Sequence, residues 1–183
     1  LGGTGYVSGE LLRLIAGHPY LELAGILSDS QPGEPVARYF GHLAAVYPET
    51  KFSSLAEIEA LVAKLPRSAI FSAAPHGASA ALIDRLLTAA ENAGVKTSVV
   101  DISADYRFAT NDAYAAVYKH AHGAPQRLSQ FTCAVPEHLA QAPTPHIGHP
   151  GCFSTAILLA AVPLLKLGFA TPHLFVSGVT GST

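Results

Sequence analysis

The sequence predicts an α/β fold with a doubly wound parallel sheet. Short apolar strands alternate with amphipathic helices from Gly9 to Ile102, a glycine-rich turn opens the chain, and Gly and Pro punctuate each change of period. Leu11, Leu14 and Ile15 fall at helical spacing, and Gly17 is a C-terminal stop. Leu21 to Ser28 reads as a buried strand, followed by a loop at Pro32, Gly33 and Pro35. Ser54-Leu55-Ala56-Glu57 is a capping box, and Ile58, Leu61 and Val62 continue the apolar face of the helix it opens. Ser68 to Ala73, between Pro66 and Pro75-His76-Gly77, is a strand. Leu82, Ile83, Leu86 and Leu87 mark a helix ending near Gly94, and Thr97 to Ile102 is the next strand.

Beyond Ser103 the pattern weakens as far as Gly148, and only Asp112 to Lys119 looks helical. Irregular segments of this length are commonly excursions around an active site. Cys152 to Leu167 lacks a polar face, which predicts a helix buried all round, and Leu174 to Ser177 reads as a strand. The glycine turn stands at the start with no strand before it, and a second glycine-rich loop stands at the end. The chain is therefore expected to be a fragment whose first strand is cut off.

Composition narrows the function. The 183 residues are 49% hydrophobic and only 13% charged, which suits a sizeable core and excludes disorder. A net charge of −2 gives no footprint for nucleic acid or an anionic membrane. No apolar run reaches the roughly 20 residues of a transmembrane helix, and no signal-peptide pattern is visible. Two cysteines make no disulfide scaffold, so a reducing compartment is expected.

Three stretches carry chemistry. Gly2-Gly3-Thr4-Gly5-Tyr6-Val7-Ser8-Gly9 has the G-x-x-G spacing of a turn that brings backbone N–H groups and a helix N-terminus onto a pyrophosphate, as in a Rossmann domain. Such a turn can also be purely structural; the helix–strand alternation after it favours a cofactor. Asp29 lies near the position that would hold a ribose 2′-OH, while Ser28 and Ser30 could receive a 2′-phosphate, so spacing leaves NAD and NADP open.

In His149-Pro150-Gly151-Cys152-Phe153-Ser154-Thr155, a sharp turn delivers Cys152 to a helix start, where dipole and free N–H groups favour a thiolate nucleophile over a buried structural thiol. Cys133, in Thr132-Cys133-Ala134-Val135, reads as the structural thiol. Asp101-Ile102-Ser103-Ala104-Asp105-Tyr106-Arg107 ends a parallel strand; Arg107 either holds a phosphate or carboxylate or pairs locally with Asp105. His120-Ala121-His122 and the His146 to Cys152 stretch have ligand-like spacing, but Pro150-Gly151 breaks the alignment and no acidic ligand accompanies them. Surface or loop histidines are the preferred reading, with no metal.

Taken in order, these motifs resemble the N-acetyl-γ-glutamyl-phosphate reductases of arginine biosynthesis, relatives of aspartate-semialdehyde dehydrogenase. The matching residues are Gly2-Gly3-Thr4-Gly5-Tyr6 with Gly9-Glu10-Leu11, Ala74-Pro75-His76-Gly77, Asp101 to Arg107, Val135-Pro136-Glu137, Pro150 to Ala156, and Ser177-Gly178-Val179-Thr180-Gly181. The likeness runs through the chain but covers roughly half of a family member.

The resemblance implies an NADP-dependent enzyme in which Cys152 attacks an acyl phosphate, expels phosphate and leaves a thioester for reduction to a semialdehyde. Gly2, Thr4, Gly5 and Tyr6 would surround the pyrophosphate, with Ser28 near the adenosine end. Pro75 and the Ser177–Gly181 loop, with Ser177 and Gly178, would lie along the cofactor. Arg107 and His149 are implied in substrate binding. Residues 1–148 would be the dinucleotide-binding domain, and 149–183 the incomplete start of a catalytic and dimerisation domain. A cytoplasmic homo-oligomer is implied for the full protein. The family's acid–base histidine lies beyond this chain, which alone is expected not to turn over.

Two departures stand out: His149 replaces a common Asn, and Ser8 a common Gly. The motifs argue against the aspartate enzyme and leave open a related aminoadipate-pathway reductase. A non-catalytic nucleotide-binding module and a cysteine hydrolase are the competing classes.

Overall fold

The structure, a computed structural model, describes residues 1–179. Its frame is a four-stranded sheet in which all pairings are parallel. Strands β1 (Arg67–Ser72) and β2 (Lys96–Asp101) pair along their full length, from Arg67↔Lys96 to Ser72↔Asp101. Two three-residue strands, β3 (Phe131–Cys133) and β4 (His146–Gly148), complete the order β1-β2-β4-β3.

The helices are α1 (Tyr6–Ala16), α2 (Val36–Tyr39), α3 (Leu55–Val62), α4 (Ser79–Asn92), α5 (Asn111–Tyr118) and α6 (Cys152–Lys166). The capping box expected at Ser54 forms in full: Ser54 Oγ accepts the Glu57 N–H while Glu57 accepts the Ser54 N–H. Ile83, Leu86 and Leu87 of α4 pack with Ile58 and Val62 of α3 onto Ile70 and Val99 of the sheet. Each such side chain contributes about 1.5–3 kcal/mol when fully buried. Leu12, Ile26, Val36, Phe40 and Phe52 form a second cluster beneath α1. Among the described residues, no helix is long and apolar enough to cross a membrane.

Several elements differ from expectation. Leu21 to Ser28 is extended, but only Leu27 forms a bridge, with Ser53. Its neighbour on the other side is the Leu1–Gly3 segment, which reaches it through the bond Gly3 N–H to Leu27 O at 2.8 Å. The stretch from Ser103 to Gly148 holds β3 and β4, each too short to show a period of two. Helix α6 has no buried residue, and Leu159 and Leu164 are 40% and 45% exposed. An apolar circumference says that a helix seeks cover without saying which neighbour gives it; here residues 174–178 lie along it around an apolar groove of about 470 Å³, and the His138 Nε2 meets its Leu158 carbonyl at 3.0 Å. Leu174 to Ser177 forms no strand, because this segment has no ladder partner among the described residues.

Parallel pairing has one consequence that matters most. Ser72, Asp101, Gly148 and Cys133 are paired strand ends, so the loops after them gather on one carboxyl edge, where ligands bind in open α/β sheets.

Candidate active site

The glycine loop reaches that edge through Leu1, whose carbonyl accepts the Ala73 N–H at 3.0 Å. Gly2 has φ +74°, and a Cβ there would stand 2.5 Å from the Ala73 carbonyl oxygen. Only glycine fits. Gly5 is the N-cap of α1 and supplies no side-chain acceptor, so the N–H groups of the first turn are left for an anionic ligand. Thr4, Gly5 and Tyr6 are exposed around this opening. Gly9 is the third small residue: a Cβ there would press on the Phe40 ring at 2.7 Å. Ser8 is buried, and its Oγ donates to the Gly2 carbonyl at 2.8 Å, tying the loop to the helix it opens. Ser28 is also buried, with Oγ 3.4 Å from Ser30 Oγ, while Asp29 and Ser30 face solvent.

Pro75 lies exposed in the turn between β1 and α4. Beneath it are two fully buried carboxylates. Asp101 accepts from Ser79 Oγ and from the Ser103 hydroxyl and N–H; burial raises its pKa, and those hydrogen bonds oppose the rise. Asp105 accepts the N–H groups of Gly77 and Ala80 and the Tyr114 hydroxyl. It does not pair with Arg107, because backbone donors already occupy it. Among the described residues no carboxylate lies within ion-pair distance of Arg107. Its Nε donates to the His149 carbonyl at 3.2 Å.

Helix α6 begins at Cys152, directly after Gly151 at φ +101°. The Arg107 guanidinium crowds the space where a Gly151 Cβ would be, at 3.0–3.2 Å, so a side chain there would displace it. Cys152 is a free, exposed thiol at this junction. The edge thus joins an exposed sulfur, a guanidinium with no carboxylate partner and the open N-terminus of a helix, a set suited to attack on an anionic acyl group.

The other sequence candidates are distributed less simply. Ser177 and Gly178 line the apolar groove beside α6, and a Cβ on Gly178 would collide with the Phe153 ring. Thr180 and Gly181 lie outside the described residues. Cys133 is exposed at the end of β3 rather than enclosed, since it ends an edge strand. Partial desolvation raises its thiol, and the Arg107 charge pulls the other way.

His122 and His146 are buried, not surface histidines, because each ring accepts a backbone N–H at Nδ1. Among the described residues no group of three or more His, Cys, Asp or Glu side chains is arranged to hold a metal ion. Sequence reasoning missed the supporting roles of Ser8 and Asp105; the Asp and Ser density from Asp101 to Asp105 was the available signal for the second.

The sequence profile described as "Semialdehyde dehydrogenase, NAD binding domain" matches residues 1–143. The chain belongs to this family. A nicotinamide dinucleotide is the cofactor class of the domain, and the Gly2 cradle beside the uncapped α1 suits its pyrophosphate. The chain is 38% identical over 188 residues to the N-acetyl-gamma-glutamyl-phosphate reductase of Ectopseudomonas mendocina (strain ymp), covering 100% of this chain and 52% of that protein. The proteins of the same name from Pseudomonas putida (strain W619) and Pseudomonas aeruginosa (strain UCBPP-PA14) are 38% and 37% identical, with the same coverage. The chain thus spans about half the length of these relatives.

Proposed function

We propose that the protein reduces N-acetylglutamyl phosphate to N-acetylglutamate semialdehyde and phosphate with NADPH, in arginine biosynthesis. The observation that carries this is the junction of Cys152, Gly151 and Arg107 on the edge that also bears the Gly2 cradle. Residues 1–148 serve as the cofactor domain, and residues from His149 onward begin the catalytic part.

The Cys152 thiolate attacks the acyl carbon, and the carbon–oxygen bond to phosphate breaks, with the bonding pair leaving on phosphate. Arg107, which has no carboxylate partner among the described residues, holds the phosphate or the substrate carboxylate. The N–H groups at the start of α6 steady the oxyanion. NADPH, when bound, supplies the hydride that reduces the thioester carbonyl, and the sulfur then leaves as thiolate with the aldehyde released. Gly2, Thr4, Gly5 and Tyr6 would hold the pyrophosphate, Pro75 would lie along the cofactor, and the exposed Ser30, backed by the buried Ser28, would receive a 2′-phosphate and so favour NADP. Ser177 and Gly178, on the segment that meets the Phe153 ring beside Cys152, would lie along the cofactor. The full protein works as a cytoplasmic homo-oligomer.

The test is S-acylation of the intact protein. Acyl phosphate without NADPH is expected to add one acyl group to the Cys152 peptide and none to Cys133, and Cys152→Ser to abolish both the adduct and phosphate-dependent NADPH formation from the semialdehyde. Retained turnover in Cys152→Ser overturns the reading.

A further inference from the structure

We propose that His149 is a positioning residue, a neutral imidazole whose two ring nitrogens pin the turn that presents Cys152 while its backbone carbonyl carries Arg107. The proposal rests on the assignment of Cys152 as nucleophile.

All four polar groups of His149 are engaged. Its N–H donates to the Asp101 carbonyl at 2.7 Å, which fixes the residue to the end of β2. Its carbonyl accepts Arg107 Nε at 3.2 Å. Nδ1 accepts the Gly151 N–H at 3.1 Å, and Nε2 lies 3.2 Å from Thr155 Oγ1. An Nδ1 that accepts a backbone N–H has its lone pair in use, so the ring proton sits on Nε2 and is donated to Thr155. Only the neutral Nε2–H tautomer satisfies both contacts.

The turn is thereby bracketed. Gly151 gives its N–H to His149, and its carbonyl receives the Thr155 N–H at 2.9 Å. Cys152 stands between these two bonds, and Arg107 is hung from the same residue. With both ring nitrogens occupied, His149 offers substrate neither a proton nor a lone pair.

Acceptance of the N–H two residues ahead is the contact that Asn side chains make in Asx turns. Asn at 149 reproduces the Gly151 contact but is too short for Thr155. It also does not titrate, whereas imidazolium would turn an Nδ1–H against the Gly151 N–H. The ionisable group whose charge acts on the ring is Arg107, on the turn after β2. Burial, then the Arg107 charge, lowers the His149 pKa from 6.5.

Two measurements on the intact protein test this. In imidazole 15N spectra, with His149 assigned by its loss in His149→Asn, Nδ1 is expected to be bare and Nε2 protonated near neutral pH. A protonated Nδ1 overturns the proposal. In phosphate-dependent reduction of NADP by semialdehyde, His149→Ala is expected to lower kcat about tenfold at little change in the KM for NADP, and His149→Asn to restore it to within about threefold. Thr155→Val, which keeps the Gly151 contact, should cost about threefold. The acid limb of kcat below pH 6.5 should be present in the parent and absent in His149→Asn. Equal kcat in parent and His149→Ala overturns the proposal. A parent that shows the expected tautomer but no turnover overturns the reaction assignment instead and leaves the pinned imidazole supported.

Discussion

Asp105 caps α4 from another loop: its Oδ2 accepts the Ala80 N–H at 2.9 Å, 25 residues away in sequence. The N-cap residue itself, Ala78, has no side-chain acceptor. The carboxylate therefore supplies what the local sequence omits, and its negative charge suits the helix N-terminus. Its Oδ1 takes the Gly77 N–H at 2.8 Å, and nearby His76 Nδ1 accepts the Ala104 N–H at 2.9 Å. The loop bearing Pro75 and the loop bearing Arg107 are stapled at two points.

Replacing Asp105 with Asn keeps the shape but turns one acceptor into a donor that faces an N–H. Because the site is fully buried, the orphaned group cannot rehydrate in place. Asp105→Asn is expected to lower stability by about 1–3 kcal/mol in urea denaturation, and to weaken NADPH binding as the Pro75 turn loosens. An unchanged urea midpoint would refute the stapling.

The elements legible in sequence were those long enough to declare a period. Helix α4 showed its face at Leu82, Ile83, Leu86 and Leu87, and β1 and β2 each run six residues. Strands β3 and β4 are stabilised by parallel neighbours rather than by their own pattern, so three residues of each carried no signal. The Cys152 turn was legible because Pro, Gly and Cys at a helix start each have a local reason to be there. The Asp105–Ala80 cap was not, since it depends on two loops meeting at the sheet edge. For α6, hydropathy reported apolarity correctly but not burial, since every residue of the helix keeps some exposure.

Arg127 joins α4 to the 3₁₀ turn at Pro125–Gln130. Its side chain is 9% exposed and binds Asp84, Glu91, Thr88 and Gln130. Glu91 is 54% exposed, so it rehydrates when the partner is removed, which limits the loss. Arg127→Ala is expected to cost about 2 kcal/mol near neutral pH. The hydrogen bond from Arg127 holds the Glu91 carboxyl below its usual value of 4.5, so this part of the stabilisation is complete above that pH and lost as pH falls below it. Urea midpoints of parent and variant should therefore converge in acid; a constant gap would contradict the assignment.

His146 gives an opposite-charge counterpart with the same acid sensitivity. It is 4% exposed, and its Nδ1 accepts the Val99 N–H at 3.2 Å. Burial first, and the Arg127 charge second, lower its pKa from 6.5. The fold thus holds the ring neutral, while the unfolded chain takes up a proton near pH 6.5. Its contribution is complete above 6.5 and lost as pH falls through the depressed folded value. In His146→Asn, which keeps an acceptor without titrating, stability should fall less steeply as pH drops below 6.5, by up to about 1.4 kcal/mol per pH unit. Identical slopes for parent and variant would exclude His146 as the source.

Ser8 tests whether the cofactor loop is held by a side chain. Its hydroxyl donates to Gly2 O at 2.8 Å across the first turn of α1, and Gly2 itself holds φ +74°, where a Cβ would stand 2.5 Å from the Ala73 carbonyl oxygen. Ser8→Ala removes this bond alone, and Ser8→Gly adds the backbone freedom of glycine within a helix. The expected losses are about 1 kcal/mol for Ala and about 0.5–1 kcal/mol more for Gly. Since the pyrophosphate would meet the N–H groups of this turn, NADPH affinity measured by fluorescence titration should fall about fivefold in Ser8→Ala. Gly2→Ala, with φ +74° and an oxygen 2.5 Å from the new Cβ, should abolish binding. Full affinity in Gly2→Ala would mean that the cofactor lies elsewhere. Full affinity in Ser8→Ala alone would mean that the backbone bonds Gly3 N–H to Leu27 O and Gly5 N–H to Gly2 O suffice to shape the loop.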